Sequence, residues 1–122
     1  MAASEQDKIV AWSSGWLSIV TTPAEVGSEN AQEFWTALAA ACASHALTIA
    51  DMTGTVICGD AAVIVLLMAL RRTDASGGEL WLAVSDAVDR LISATAISGA
   101  IPRFSGLREA LASLPARRPD LV

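Results

Sequence analysis

IADMTGTVICGDAAVIVLLMALRRTDASGG, residues 49–78, holds a strand, a loop and a long helix in thirty residues. A β-prone run, Ala46–Met52, leads into it with Leu47 and Ile49 on one face. A second β-like run ends near Ile57, and the pair Gly59-Asp60 follows. Then come apolar residues with no polar face, Ala61 to Leu70. Asp60 is expected to cap a helix over Ala61–Arg72, because a carboxylate complements the partial positive charge of a helix N-terminus. Arg71 and Arg72 suit its C-terminal end, and Ser76-Gly77-Gly78 stops it. Helical geometry does not let Val63, Leu66, Leu67, Ile64, Met68 and Leu70 all face one core, so some of them are expected at the surface or under a partner.

Outward from this stretch the elements alternate. Leu80–Val84 (LWLAV) is wholly apolar, as in strands buried on both faces of a largely parallel sheet. Ser85 or Asp86 is predicted to cap a helix with Val88, Leu91, Ile92 and Thr95 on one side, ended by Gly99. Ile101–Phe104 reads as a short strand. A last helix opens at Ser105, carries Leu107, Ala110, Leu111 and Leu114, and is closed by Pro115. Upstream, Ile9–Trp12 and Trp16–Val20 flank Ser13-Ser14-Gly15, a predicted hairpin. Asn30, with Glu33 at the third helical position, is predicted to start a helix whose Ala31, Phe34, Trp35, Leu38 and Cys42 recur at helical spacing. The order is β-β-α-β-α-β-α-β-α, which predicts an α/β domain with a mixed sheet of about five strands and about four helices packed on it.

Composition bounds the function. The 122 residues suit one domain, 1–122, with loose ends at 1–7 and 116–122. Hydrophobic residues make up 53% and charged ones 17%, enough for a substantial core and for some apolar surface that meets a partner. The net charge of −5 and the lack of any basic block exclude a nucleic-acid footprint. Lys8 is the only lysine, which removes a P-loop or Schiff-base lysine. The polar, acidic MAASEQDK is unlike a secretory signal. The apolar run Ala61–Leu70 is short of the roughly 20 residues that span a bilayer. A reduced, cytoplasmic location without membrane insertion is expected.

Catalytic and metal chemistry is hard to assemble from these residues. His45 is the only histidine and is read as helix-terminal, with no nucleophile motif for it to serve. Cys42 belongs to an apolar helix face. Cys58 precedes a helix N-terminus, where the dipole can lower a thiol pKa, and is the redox candidate. These three residues do not close a zinc site, and Thr53-Gly54-Thr55 lacks the glycines and lysine of a phosphate loop. The acidic residues stand singly. No enzyme activity, metal or cofactor is expected.

The stretch 49–78 nevertheless resembles a known pattern. It is similar to the core of STAS domains, the fold of bacterial anti-sigma factor antagonists, whose motif runs from an aspartate through Leu-Ser-Gly to Asp-Ser and a helix. Asp51 takes the first aspartate, Met52, Thr53 and Gly54 take Leu-Ser-Gly, and Ile57 takes the apolar position before the loop. Gly59 stands where the family has aspartate and Asp60 where it has the phosphorylatable serine. Ala62 and Val63 replace the next glycine and leucine. Residues 80–114 resemble the family's later half, and Ala24-Glu25-Val26-Gly27 falls where it usually has Gly-Glu-Ile/Leu-Asp.

The resemblance implies a protein-interaction regulator rather than an enzyme. Such an antagonist binds a serine-kinase-like anti-sigma factor and so releases a sigma factor, until its serine is phosphorylated. The implied regulatory position is Asp60, and the implied partner surface is Glu25, Val26, Thr55, Gly59, Asp60, Ala62 and Val63. With Asp60 in place of serine the phosphorylation cycle does not run there. The carboxylate is a partial, permanent mimic of phosphoserine, with one charge against nearly two. Gly59 permits a positive φ and close backbone approach, and Thr55 is the fallback phosphorylation site in the same loop. Two alternatives follow: a fixed STAS-like subunit of a larger assembly, such as membrane transport or stress-signalling machinery, and a domain sensing a nucleotide or lipid.

Overall fold

The computed structural model describes residues 8–122; the predicted loose end at 1–7 lies outside the described residues. A hairpin opens the fold: β1 (Val10–Ser14) pairs antiparallel with β2 (Leu17–Thr21), turning at Gly15, whose φ of +58° suits glycine. After β3 (Glu25–Val26) come α1 (Ala31–Ser44), β4 (Leu47–Met52), β5 (Ile57–Cys58) and α2 (Asp60–Ser76). Then follow β6 (Glu79–Val84), α3 (Asp86–Ser93), β7 (Arg103–Phe104), α4 (Leu107–Ala112), α5 (Leu114–Arg117) and a 3-10 turn, Pro119–Leu121.

Five strands form one mixed sheet in the order β1-β2-β4-β6-β7, with β2, β4, β6 and β7 mutually parallel. Alternation along each strand sends side chains to two cores. Val20, Ala50, Met52, Leu80 and Leu82 face α1, α2 and α3, meeting Phe34, Leu38, Val65, Leu66, Val88 and Ile92. Leu47, Ile49, Trp81 and Ala83 face the other way, under Ala110 of α4 and Leu114 of α5. β6 is covered on both faces, which is why its sequence is continuously apolar.

The predicted α/β architecture is the observed one, and the details differ for physical reasons. β3 and β5 form a separate two-stranded parallel sheet. α2 runs one turn further than predicted, to Ser76, and stops where Gly77 adopts a φ of +79° and its amide donates to the Thr73 carbonyl. Ser85, not Asp86, caps α3, accepting from the Val88 amide at 3.2 Å. Pro115 does not close the last helix. It sits in the first turn of α5, where a missing N–H costs nothing.

Residues 116–122 were expected as a loose end, yet they carry regular turns. Arg118 pins them, reaching Glu79 at 3.0 Å and Asp120 at 2.8 Å. The Asp120 contact holds that carboxyl below its ordinary range. His45, just past α1, donates from Nδ1 to the Ala41 carbonyl at 2.9 Å and serves to finish the helix.

Candidate functional site

The site is built where the carboxyl ends of β2 and β4 hand over to loops. Val56 and Ile57 amides both donate to the Ala24 carbonyl, at 2.8 and 3.1 Å. Glu25 and Val26 then pair with Ile57 and Cys58, and the Gly59 amide donates to the Val26 carbonyl at 2.9 Å. This small sheet ties the Glu25 loop to the loop that enters α2, so residues thirty-odd positions apart present one surface.

Asn30 reinforces it. The residue occupies the N-cap position of α1, but its side chain does not cap the helix. It turns back instead: Oδ1 accepts from the Gly27 amide and Nδ2 donates to the Glu25 carbonyl, each at 2.9 Å. The expected capping role is replaced by a clamp on the Glu25 loop, because Asn offers both an acceptor and a donor.

Asp60 is not the cap of α2. Gly59 holds that position with extended backbone, and Asp60 is the first helical residue, exposed, with no side-chain hydrogen bond among the described residues. Its carboxylate therefore stands free at the helix N-terminus, where the dipole favours negative charge. Gly59 has a φ of −93°, so the positive φ its identity permits is not used. Nor is a close backbone approach used: a Cβ there would rest against Gly27 Cα at 3.8 Å, an ordinary contact.

Of the other residues in the implied partner surface, Glu25 is exposed and Val63 and Gly59 are half-buried. Val26 and Ala62 are fully buried in the α1–α2 core, so they support the surface from beneath rather than touch a partner. Thr55 is fully buried as well. Its hydroxyl donates to the Pro23 carbonyl at 2.7 Å, and its remaining lone pairs accept from Thr22 Oγ1 at 2.7 Å. Ser85 Oγ completes the chain by donating to the Thr55 carbonyl at 2.6 Å. A residue so enclosed is no acceptor for a kinase in this conformation. Thr22 on the Thr55 hydroxyl and Ser85 on the Thr55 carbonyl link the ends of β2, β4 and β6, and periodicity gave no sign of this; the three hydroxyl residues directly after or near strand ends were the available signal.

Cys58 is half-buried and its thiol is pushed up by desolvation, the opposite of the lowered pKa that a reactive cysteine needs. Burial raises the Cys42 thiol likewise. Asp51 folds its carboxylate onto Thr53, accepting from the hydroxyl at 2.6 Å and the amide at 3.2 Å, and shapes the turn after β4.

A shallow groove of about 630 Å³ opens beside the tied loops, lined by Glu25, Gly27, Glu29, Asn30, Glu33 and Gly59 among others. None of its lining residues is basic, and Glu25, Glu29 and Glu33 make no ion pair among the described residues. The groove is thus negative, and Asp60 adds to that sign next to Gly59. Ile57 on the groove's lining and the adjacent Val56 are exposed apolar side chains. Ile64 is exposed as well, bearing out the expectation that α2 keeps part of its apolar face outside. Among the described residues, no group of His, Cys, Asp and Glu is arranged to hold a metal ion, and no helix is long and apolar enough to cross a membrane.

The sequence matches no protein-family model and no curated relative. The structure does have likenesses. An anti-sigma-factor antagonist (STAS) domain protein from Planctomyces limnophilus superposes with a TM-score of 0.76 at 19% identity, over 87% of this chain and 96% of that one. An anti-sigma factor antagonist from Mycobacterium paratuberculosis gives 0.78 at 17%, over 92% and 97%. The murine Solute Carrier 26 family member A9 anion transporter gives 0.67 at 17%, over 87% of this chain but only 19% of the transporter. At these identities the likeness speaks for the fold, and with the mixed five-stranded sheet and the loop–helix junction at Asp60 in place, the chain is shown to have the STAS fold.

Proposed function

We propose that the protein is a non-enzymatic regulator of the anti-sigma factor antagonist type, binding a serine-kinase-like anti-sigma factor in the cytoplasm and thereby releasing a sigma factor. Its contact surface is the Glu25 loop with Gly59, Asp60 and Val63. The observation that carries this reading is the free Asp60 carboxylate at the α2 N-terminus, tied through β3 and β5 to the Glu25 loop. The fold shared with the two bacterial antagonists supports it.

The surroundings of Asp60 favour one sign for its effect. Glu25, Glu29 and Glu33 suit a partner that brings positive charge to them, and beside such a partner a further carboxylate strengthens the contact. Asp60 is on this reading a constitutive binding determinant, out of reach of the kinase. The same three carboxylates repel a nucleotide or an anionic lipid headgroup, which weighs against the ligand-sensing alternative.

The test is affinity for the anti-sigma kinase domains of the source organism, comparing the natural chain with Asp60→Ser and Asp60→Ala. The natural chain is expected to bind most tightly, and more weakly at high salt. A serine variant that binds about tenfold tighter would reverse the sign and make Asp60 a built-in off state. If no such domain binds any of the three forms, the second reading gains: a fixed STAS-like subunit of a larger assembly, supported by the likeness to one segment of an anion transporter.

A further inference from the structure

The two edges of the sheet are unlike. β7 is two residues long, and its Arg103 is held by Asp89 while Phe104 lies beneath the Arg117 guanidinium. It is short and guarded by charge, as sheet edges commonly are. β1 is five residues long, VAWSS, exposed throughout, with no charge, proline or bulge in it, and among the described residues nothing pairs with its outer side.

A second observation falls on the same strand. The registers align Trp12 with Ile19, Ile19 with Ile49, and Ile49 with Trp81, making one apolar row across four strands on the face away from α1 and α2. Trp81 and Ile49 are buried, Ile19 is half-buried, and the row ends in the open at Trp12, 54% exposed. Val10, on the same face, is 45% exposed. The apolar row and the unpaired backbone edge therefore run out at the same place.

We infer that a second copy of this chain pairs antiparallel with β1 about a twofold axis at Trp12, joining two sheets into one of ten strands. The sequence of β1 is suited to itself. Centred on Trp12, Val10 faces Ser14 of the other copy, Ala11 faces Ser13, and the two indoles meet across the axis. The row then reads Trp81–Ile49–Ile19–Trp12 and back in reverse order. A chain of net charge −5 repels itself in general, and β1 offers a strip without charge where that repulsion is least. Twofold contacts are self-complementary in this manner, and strand addition uses backbone hydrogen bonds already pointing outward.

The experiment is sedimentation equilibrium over a concentration series, with thermal unfolding recorded in parallel. The natural chain is expected to dimerise. Trp12→Lys sets two ammonium groups against each other at the axis and is expected to raise the dimer dissociation constant by about tenfold or more while the monomer still folds. Trp12→Cys gives a second readout that survives any loss of stability in the lysine variant. Opposed residues of antiparallel strands lie about 4.5–5.5 Å apart at Cα, within disulfide reach, so this variant is expected to cross-link under mild oxidation. Ala11→Cys, opposite Ser13, is expected not to cross-link. A natural chain that stays monomeric overturns the proposal, and so does a dimer that Trp12→Lys leaves intact and Trp12→Cys does not cross-link.

Discussion

The Thr55 hydroxyl has one proton and two bonds to make, and the structure satisfies both: it donates to Pro23 and accepts from Thr22. Thr55→Val removes both bonds and leaves a buried carbonyl without a donor, so a loss of about 1–3 kcal/mol is expected in urea unfolding, with Thr55→Ser recovering most of it. Thr48 is the opposite case. Its Oγ1 is fully buried with no nitrogen or oxygen partner among the described residues, and the neighbouring Cys42 thiol is a weak one. Thr48→Val keeps the shape and removes the stranded hydroxyl, and is expected to stabilise the protein by about 1 kcal/mol in the same measurement. Neither threonine announces its state in the sequence. Both sit in β-prone surroundings, and only the path of the loops decides which hydroxyl meets a partner.

At the scale of elements, Ser85 both caps α3 and fastens that cap to the Thr55 loop. Ser85→Ala is expected to cost about 1–2 kcal/mol, more than an exposed cap, and to speed hydrogen exchange at Val88 and Asp89 before it affects α1. The Phe34–Leu38–Cys42 spacing and the apolar run Leu80–Val84 made α1 and β6 legible, because burial on one stripe or on both faces leaves a periodic or continuous trace. Two-residue strands leave none. β3 and β5 exist only because their neighbours bring Glu25 beside Ile57, a non-local pairing that no window of sequence contains. The same limit explains Asp60. That a carboxylate sits at the start of α2 was readable, but whether it is the cap or the first helical residue turns on where the chain leaves β5, and that is set by the Gly59 amide on the Val26 carbonyl. Pro115 misled in a related manner, since proline ends one helix and begins another equally well.

For the whole molecule, the buried Cys42 thiol and the half-buried Cys58 thiol connect stability to pH. Desolvation raises both above the ordinary thiol range, so the folded chain keeps these protons longer than the unfolded chain does. Their contribution is fully present below the unfolded thiol pKa of about 8.5 and is lost as pH rises through the higher folded values. Urea midpoints are expected to hold steady up to about pH 8 and to decline above it, and the decline should flatten in a Cys42→Ala, Cys58→Ala double variant. With no tyrosine and one lysine in the chain, few other groups titrate in that interval.

The pairing of β3 with β5 has a consequence for how fast and how economically a partner can be met. Both loops are already held as one piece by the Val26–Gly59 bond and the Asn30 clamp. The conformational freedom that a slack loop would surrender on docking has been given up during folding, so contact energy is not diluted by late ordering. Encounter, rather than rearrangement of this surface, then sets the pace of association.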